Sequence, residues 1–134
     1  MARLTLLNTF AIPAAGTVTS TPIEGLGDAH DLLIQAKFDH GSGGTTVKAY
    51  VQTSLDDGVS WIDIASFAFT TADAVKISSV DTATALTAAT VPTDGTLTDD
   101  TVKNGIIGDA LRVKTIVTGT YAASTLSVFV EAKN

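Results

Sequence analysis

The stretch "VKAYVQTSLDDGVSWIDIASFAF", residues 47–69, decides the fold. Its first part alternates, with Val47, Ala49 and Val51 on one side and Lys48, Tyr50 and Gln52 on the other. Its last part alternates again, with Trp61, Asp63, Ala65, Phe67 and Phe69 against Ile62, Ile64 and Ala68. A period of two marks a half-buried strand, because successive side chains leave a pleated backbone on opposite faces. Between the two runs lies Asp57-Gly58, a pair suited to the left-handed backbone of hairpin turns. These residues therefore read as two strands joined by a hairpin, and the alternation places Tyr50 on the solvent side.

The same period recurs on either side. "DLLIQAKF" (31–38) puts Leu32, Ile34, Ala36 and Phe38 on one face. "LRVKTIV" (111–117) sets Leu111, Val113 and Val117 opposite Arg112 and Lys114, and "TLSVFVEAK" (125–133) sets Leu126, Val128 and Val130 opposite Ser127, Phe129 and Glu131. Weaker strands are expected over 3–10, 16–23 and 74–80. Turn residues punctuate them: "EGLGD" at 24–28, "DHGSGG" at 39–44, "TDG" at 93–95, "NG" at 104–105 and "TGTY" at 118–121. No window carries a helical period. About eight strands at roughly 8–12-residue spacing predict an all-β fold, an antiparallel β-sandwich or jelly roll.

The 134 residues fit one domain, 1–134, and a domain of that size buries about 68% of its unfolded surface. With 45% hydrophobic and 16% charged residues a core is feasible and disorder is not expected. One segment breaks the pattern. Residues 79–109 are rich in Thr, Ala and Asp and contain Pro92 and Gly95. A stretch of that length without a period reads as a long polar loop or edge arm. Ordering against a neighbouring subunit is the favoured reading.

The net charge is −6, and the basic residues are scattered, with only Arg112 and Lys114 close together. Binding to phosphate backbones needs clustered Lys and Arg, so no nucleic-acid partner is expected. The chain has no cysteine, which excludes disulfides and thiolate metal sites. No run approaches the ~20 apolar residues of a membrane helix. Asn8 and Thr9 interrupt the apolar start, so a secretory leader is not expected either. Synthesis in a cytoplasm is the reading.

Ser54, Asp56, Gly58 and Trp61 have the spacing of the Asp-box found in sialidase blades. Each has a mechanical role in a structural turn. The Asp56 carboxylate accepts backbone N–H groups, the Ser54 hydroxyl bridges the strand ends, Gly58 takes positive φ, and the Trp61 ring shields the bonds. A sialidase propeller needs at least four blades of four strands, each of ~40–50 residues. This chain is too short and has a single copy, so the structural turn is the reading.

Other chemistry is weaker. His30 and His40 lie about 30 Å apart along one extended segment, too far to share a metal. No G-x-S-x-G elbow marks a nucleophile. Asp56, Asp57, Asp94, Asp99, Asp100 and Asp109 recur in loops without the series of a calcium loop. "GSGG" at 41–44 lacks the lysine of a phosphate loop. No catalytic residue, metal or cofactor is therefore expected. Tyr50, Trp61 and Tyr121 could form a sugar-stacking platform, which makes a carbohydrate-binding module the rival reading.

Two segments carry a family resemblance. Gln52, Ser54, Asp56, Gly58, Trp61 and Asp63 follow a Q-x-S-x-D-G-x-x-W-x-D hairpin, with Asp57 as an extra residue before the glycine. Gly108, Asp109, Leu111, Arg112, Val113, Gly119, Thr120 and Tyr121 follow a G-D-x-L-R-V-x-x-x-x-G-T-Y run leading into the last strand. Residues 45–134 thereby resemble small virion structural proteins of tailed bacteriophages. The resemblance implies a non-enzymatic virion component, most directly a capsid decoration or minor capsid protein stabilising the head lattice. A head–tail connector or tail component is the alternative. Implied partners are the major capsid protein or other virion proteins, with a homo-oligomer, guessed as a trimer, located in the virion.

Overall fold

The computed structural model describes residues 2–134. It forms ten strands: β1 (Ala2–Ala11), β2 (Gly16–Thr19), β3 (Asp31–Asp39), β4 (Ser42–Gly43), β5 (Thr46–Ser54), β6 (Ile62–Phe69), β7 (Ala74–Asp81), β8 (Ala110–Thr118), β9 (Tyr121–Ala122) and β10 (Thr125–Lys133). One four-stranded sheet has the order β1-β10-β3-β7, a second the order β2-β8-β5-β6, and β4 pairs with β9 in a small ribbon. All pairs are antiparallel. The order interleaves the two halves of the chain in both sheets, which is the arrangement of a jelly roll. Among the described residues no helix is long and apolar enough to cross a membrane.

The alternation explains the core. Leu32, Ile34, Ala36 and Phe38 of β3 and Leu126, Val128 and Val130 of β10 turn inward and meet Val47, Ala49, Val51, Leu111, Val113 and Val117 of the facing sheet. At one end Phe38 stacks on Phe69 at 5.3 Å, and Tyr121 stands edge-on to Phe38 at 5.8 Å. The Tyr121 hydroxyl donates to the Thr70 carbonyl at 2.6 Å, so the ring closes the core without leaving a polar atom unpaired.

Three details differ from the period-two reading. The strand expected over 16–23 stops at Thr19; Pro22 has no N–H to continue a ladder, and Ile23 makes only an isolated bridge to Leu111. In β6, the register shifts between the Val51–Ala65 and Gln52–Asp63 pairs. This bulge inserts Ile64 and moves Asp63 to the outer face with Gln52, away from the face that holds Ala65, Phe67 and Phe69. The third difference is Tyr50, which is only 4% exposed.

The cause of Tyr50's burial is the long segment after β7. It returns onto its own chain: Asp63 N–H donates to Thr93 O, Ser66 N–H to Thr101 O and Lys103 N–H to Ile64 O. Ala65 and Val102 form an antiparallel bridge. Residues 93–103 thus act as a strap along the free edge of β6 and over the outer face of its sheet. Both faces of β5 and β6 are covered, and Gln52, Asp63 and Ser66 are buried as completely as the apolar core.

Candidate functional site

The β5–β6 hairpin carries the first motif. Its loop runs from Leu55 to Trp61, with Asp57 at φ 61° and Gly58 at φ 84°. The Ser54 hydroxyl accepts the Gly58 N–H at 2.8 Å and donates to Asp56 Oδ1 at 3.0 Å. Asp56 in turn accepts the Ser60 N–H at 2.8 Å and the Ser60 hydroxyl at 2.5 Å. The hydrogen bonds from Ser60, side chain and backbone, hold the Asp56 carboxyl below its ordinary value. The Ser54 hydroxyl and the Asp56 carboxylate are thus both engaged in hydrogen bonds within the turn.

Trp61 leads out of the loop and packs beneath Arg112, whose guanidinium carbon lies 4.4 Å from the ring centroid. Arg112 Nε donates to Gln52 Oε1 at 2.8 Å. The Gln52 amide then donates to Asp63 Oδ1 at 2.8 Å and to Asp94 Oδ1 at 2.6 Å. Burial pushes the Asp94 carboxyl up, but hydrogen bonds from Gln52 and Lys114 and the charges of Lys114 and Arg112 outweigh it, and the net direction is down. Burial lowers Arg112 while the Asp94 charge raises it. The two resembling segments, far apart in sequence, therefore meet in one polar cluster.

Asp63 is the hub of the strap. Its carboxylate accepts the N–H groups of Gly95, Thr96 and Leu97 at 2.7, 3.0 and 3.2 Å and the Thr93 hydroxyl at 2.9 Å. Further along, Lys48 pairs with Asp99 at 3.2 Å and Lys76 with Asp100 at 2.9 Å, while Asp94 sits 3.0 Å from Lys114. The Asp99 hydrogen bond and charge raise the Lys48 ammonium above its ordinary value. The acidic residues of the strap thus pair with Lys48 and Lys114 on the second sheet's outer face and with Lys76 of β7. The available sequence signal was this complementarity: Lys48, Arg112 and Lys114 occupy outward positions of strands that become neighbours.

The second motif fixes the strand ends. A Cβ added at Gly108 would meet the Ser54 carbonyl, and the Gly108 N–H donates to Thr53 Oγ1 at 2.8 Å. Gly119 sits at φ 84° against Thr45, and the Tyr121 ring lies where a side chain at Gly44 would be. These residues build the fold.

The remaining candidates do not converge. The His40 ring bonds the Gly43 carbonyl at 2.9 Å and the His40 backbone N–H donates to Asp73 Oδ1, whereas the His30 backbone N–H donates to the Lys133 carbonyl at the other end of β3. Among the described residues no three His, Asp or Glu side chains could together hold a metal ion. Tyr50, Trp61 and Tyr121 are 4%, 8% and 7% exposed and lie within the packed structure, so the stacking platform does not form. Burial raises both tyrosine hydroxyls above their ordinary values.

One end of the molecule presents an apolar surface. At the hairpin end, Leu55, Ile62, Leu86, Pro92, Ile106 and Ile107 line an open groove between the β5–β6 loop and the long segment. Val59 and Val91 stand almost fully exposed at the same end. Comparison with protein-family models, with curated proteins and with solved structures finds no match for this chain.

Proposed function

We propose that the chain is a non-enzymatic structural protein of a tailed-phage virion, acting as a capsid decoration or minor capsid protein that docks on the head lattice. One observation carries the reading. The polar and charged clusters singled out by the sequence are used up in holding the chain's own fold, while the groove of Leu55, Ile62, Leu86 and Ile106 is left open to an apolar partner surface. Exposed apolar patches of this kind mark protein contacts. The jelly-roll order and the −6 net charge support the same reading, since a negative surface suits the outside of a DNA-filled shell. Many weak contacts suffice when copies dock on a repeating lattice. The major capsid protein is the partner this reading names, and the virion is its location.

The test is co-sedimentation of purified protein with particles stripped of it. Leu55→Asp and Val91→Asp should abolish attachment and leave the fold intact, because both side chains are exposed. Attachment undiminished by both substitutions would remove the groove from the proposal.

A further inference from the structure

The two sheets have four outer edges, and three of them are protected. β1 carries register shifts between Thr5 and Leu7 and between Leu7 and Phe10. β2 is only four residues long. β6 is covered by the strap through Ser66, Lys103 and Val102. Bulges, short length and covering segments are the usual means of preventing edge-to-edge pairing. The fourth edge, β7, has none of them: its pairing with β3 runs without a shift, and it contains no proline. Its one lysine, Lys76, does not guard the edge, because Nζ turns back to the Ala68 carbonyl and Asp100.

The register decides which groups this edge offers. The Thr82 N–H donates to the His30 carbonyl, one step beyond the Asp31–Asp81 pair. Alternate residues of an antiparallel strand point their backbone groups to opposite neighbours. Val80, Ser78 and Lys76 therefore bond β3, and Asp81, Ser79, Ile77 and Val75 face outward. Asp81 is already satisfied, its N–H by Asn104 Oδ1 and its carbonyl by the Gly105 N–H. Among the described residues, Ser79, Ile77 and Val75 have no such partner. Their side chains share the outer face with Leu33, and Ile77 and Val75 are 63% and 54% exposed.

We infer that β7 is a self-association edge that pairs antiparallel with β7 of a second copy. Only one register uses all three free residues. Centred on Ile77, it sets Ile77 against its own counterpart and Val75 against Ser79, with apolar contact between the two Ile77 side chains. A shift of one residue would oppose groups already bonded to β3, and a shift of two would set Val75 against Asp81, which Asn104 and Gly105 occupy, in one direction and Ser79 against Asp73, outside β7, in the other. The contact is isologous and closes at two copies. This inference does not depend on the virion reading.

Sedimentation velocity from about 10 µM to about 1 mM should show a reversible monomer–dimer equilibrium. Ile77→Lys and, independently, Val75→Lys should weaken it at least about tenfold without changing the unfolding midpoint. Amide exchange supplies the second readout. In dilute protein Val75, Ile77 and Ser79 should exchange fast and Lys76, Ser78 and Val80 slowly; at high concentration that alternation should disappear. A chain monomeric throughout the range, a trimer, a dimer that both variants retain, or a dimer in which those three amides stay unprotected would each overturn the inference.

Discussion

The guanidinium carbon of Arg112 lies over the Trp61 ring, 4.4 Å from its centroid, and Arg112 Nε donates to Gln52 Oε1 at 2.8 Å. This contact joins the β5–β6 hairpin to β8 and connects both to the strap through Gln52 and Asp94. Trp61→Ala should cost about 3–5 kcal/mol, the range for truncating a buried large aromatic. Arg112→Lys should cost about 1–2 kcal/mol, because an ammonium keeps the charge but loses the planar stacking and the Nε donor. Urea unfolding followed by circular dichroism measures both. A Trp61→Ala variant of unchanged stability would show that the ring does not hold the hairpin.

Asp63→Ala removes the acceptor for three backbone N–H groups and one hydroxyl of the strap. Leaving buried donors unpaired costs about 1–3 kcal/mol per group in isolated cases, but here the strap is free to detach and regain water. The expected outcome is local. Amides of residues 93–103 should lose protection while those of β3 and β10 keep theirs. Loss of protection spread evenly over the whole domain would contradict the strap's independence.

The covering strap also explains what the sequence could and could not show. β3, β5, β8 and β10 were legible because one face of each packs into the core, and the period of two records that directly. Tyr50 lies on the face that alternation assigns it yet is buried, because alternation presumes that this face meets water; here it meets residues 93–103, which have no period of their own. The strap's only sequence record is the carboxylates Asp94, Asp99 and Asp100, and their partners Lys114, Lys48 and Lys76 come from three different strands. The bulge at Ile64 was equally hidden, since Trp61, Asp63 and Ala65 keep a perfect alternation in sequence and lose it only in the pairing with β5.

Acid should weaken the fold through Asp56 and Asp94. Ser60 donors lower the first; for the second, opposing burial is outweighed by Gln52, Lys114 and Arg112. A carboxyl whose folded value lies below its unfolded value of about 3.9 stabilises fully above that value and loses its contribution as pH falls through the folded one. The stability difference between the wild type and Asp94→Asn, or Asp56→Asn, should be constant at neutral pH and shrink below about pH 4. Urea midpoints across that range provide the check, and a difference that widens in acid would contradict the assignment.

Gly108→Ala tests close packing rather than charge. The added methyl would press on the Ser54 carbonyl at the end of β5, a rigid backbone atom. Overpacking of this kind costs about 1–3 kcal/mol. Gly16→Ala places a methyl in open space but at φ 146°, so any loss there is backbone strain alone. Thermal unfolding of the two variants separates the effects, with Gly108→Ala expected to melt lower than Gly16→Ala.

This chain is proposed to be a structural component of a virion. Its copy number per purified particle, by gel densitometry against the major capsid protein, tests that most directly. On the order of hundreds of copies are expected, as lattice-wide multivalent docking requires. About a dozen copies would place the protein in a symmetric ring at the neck or tail instead. Absence from purified particles would rule out the virion role.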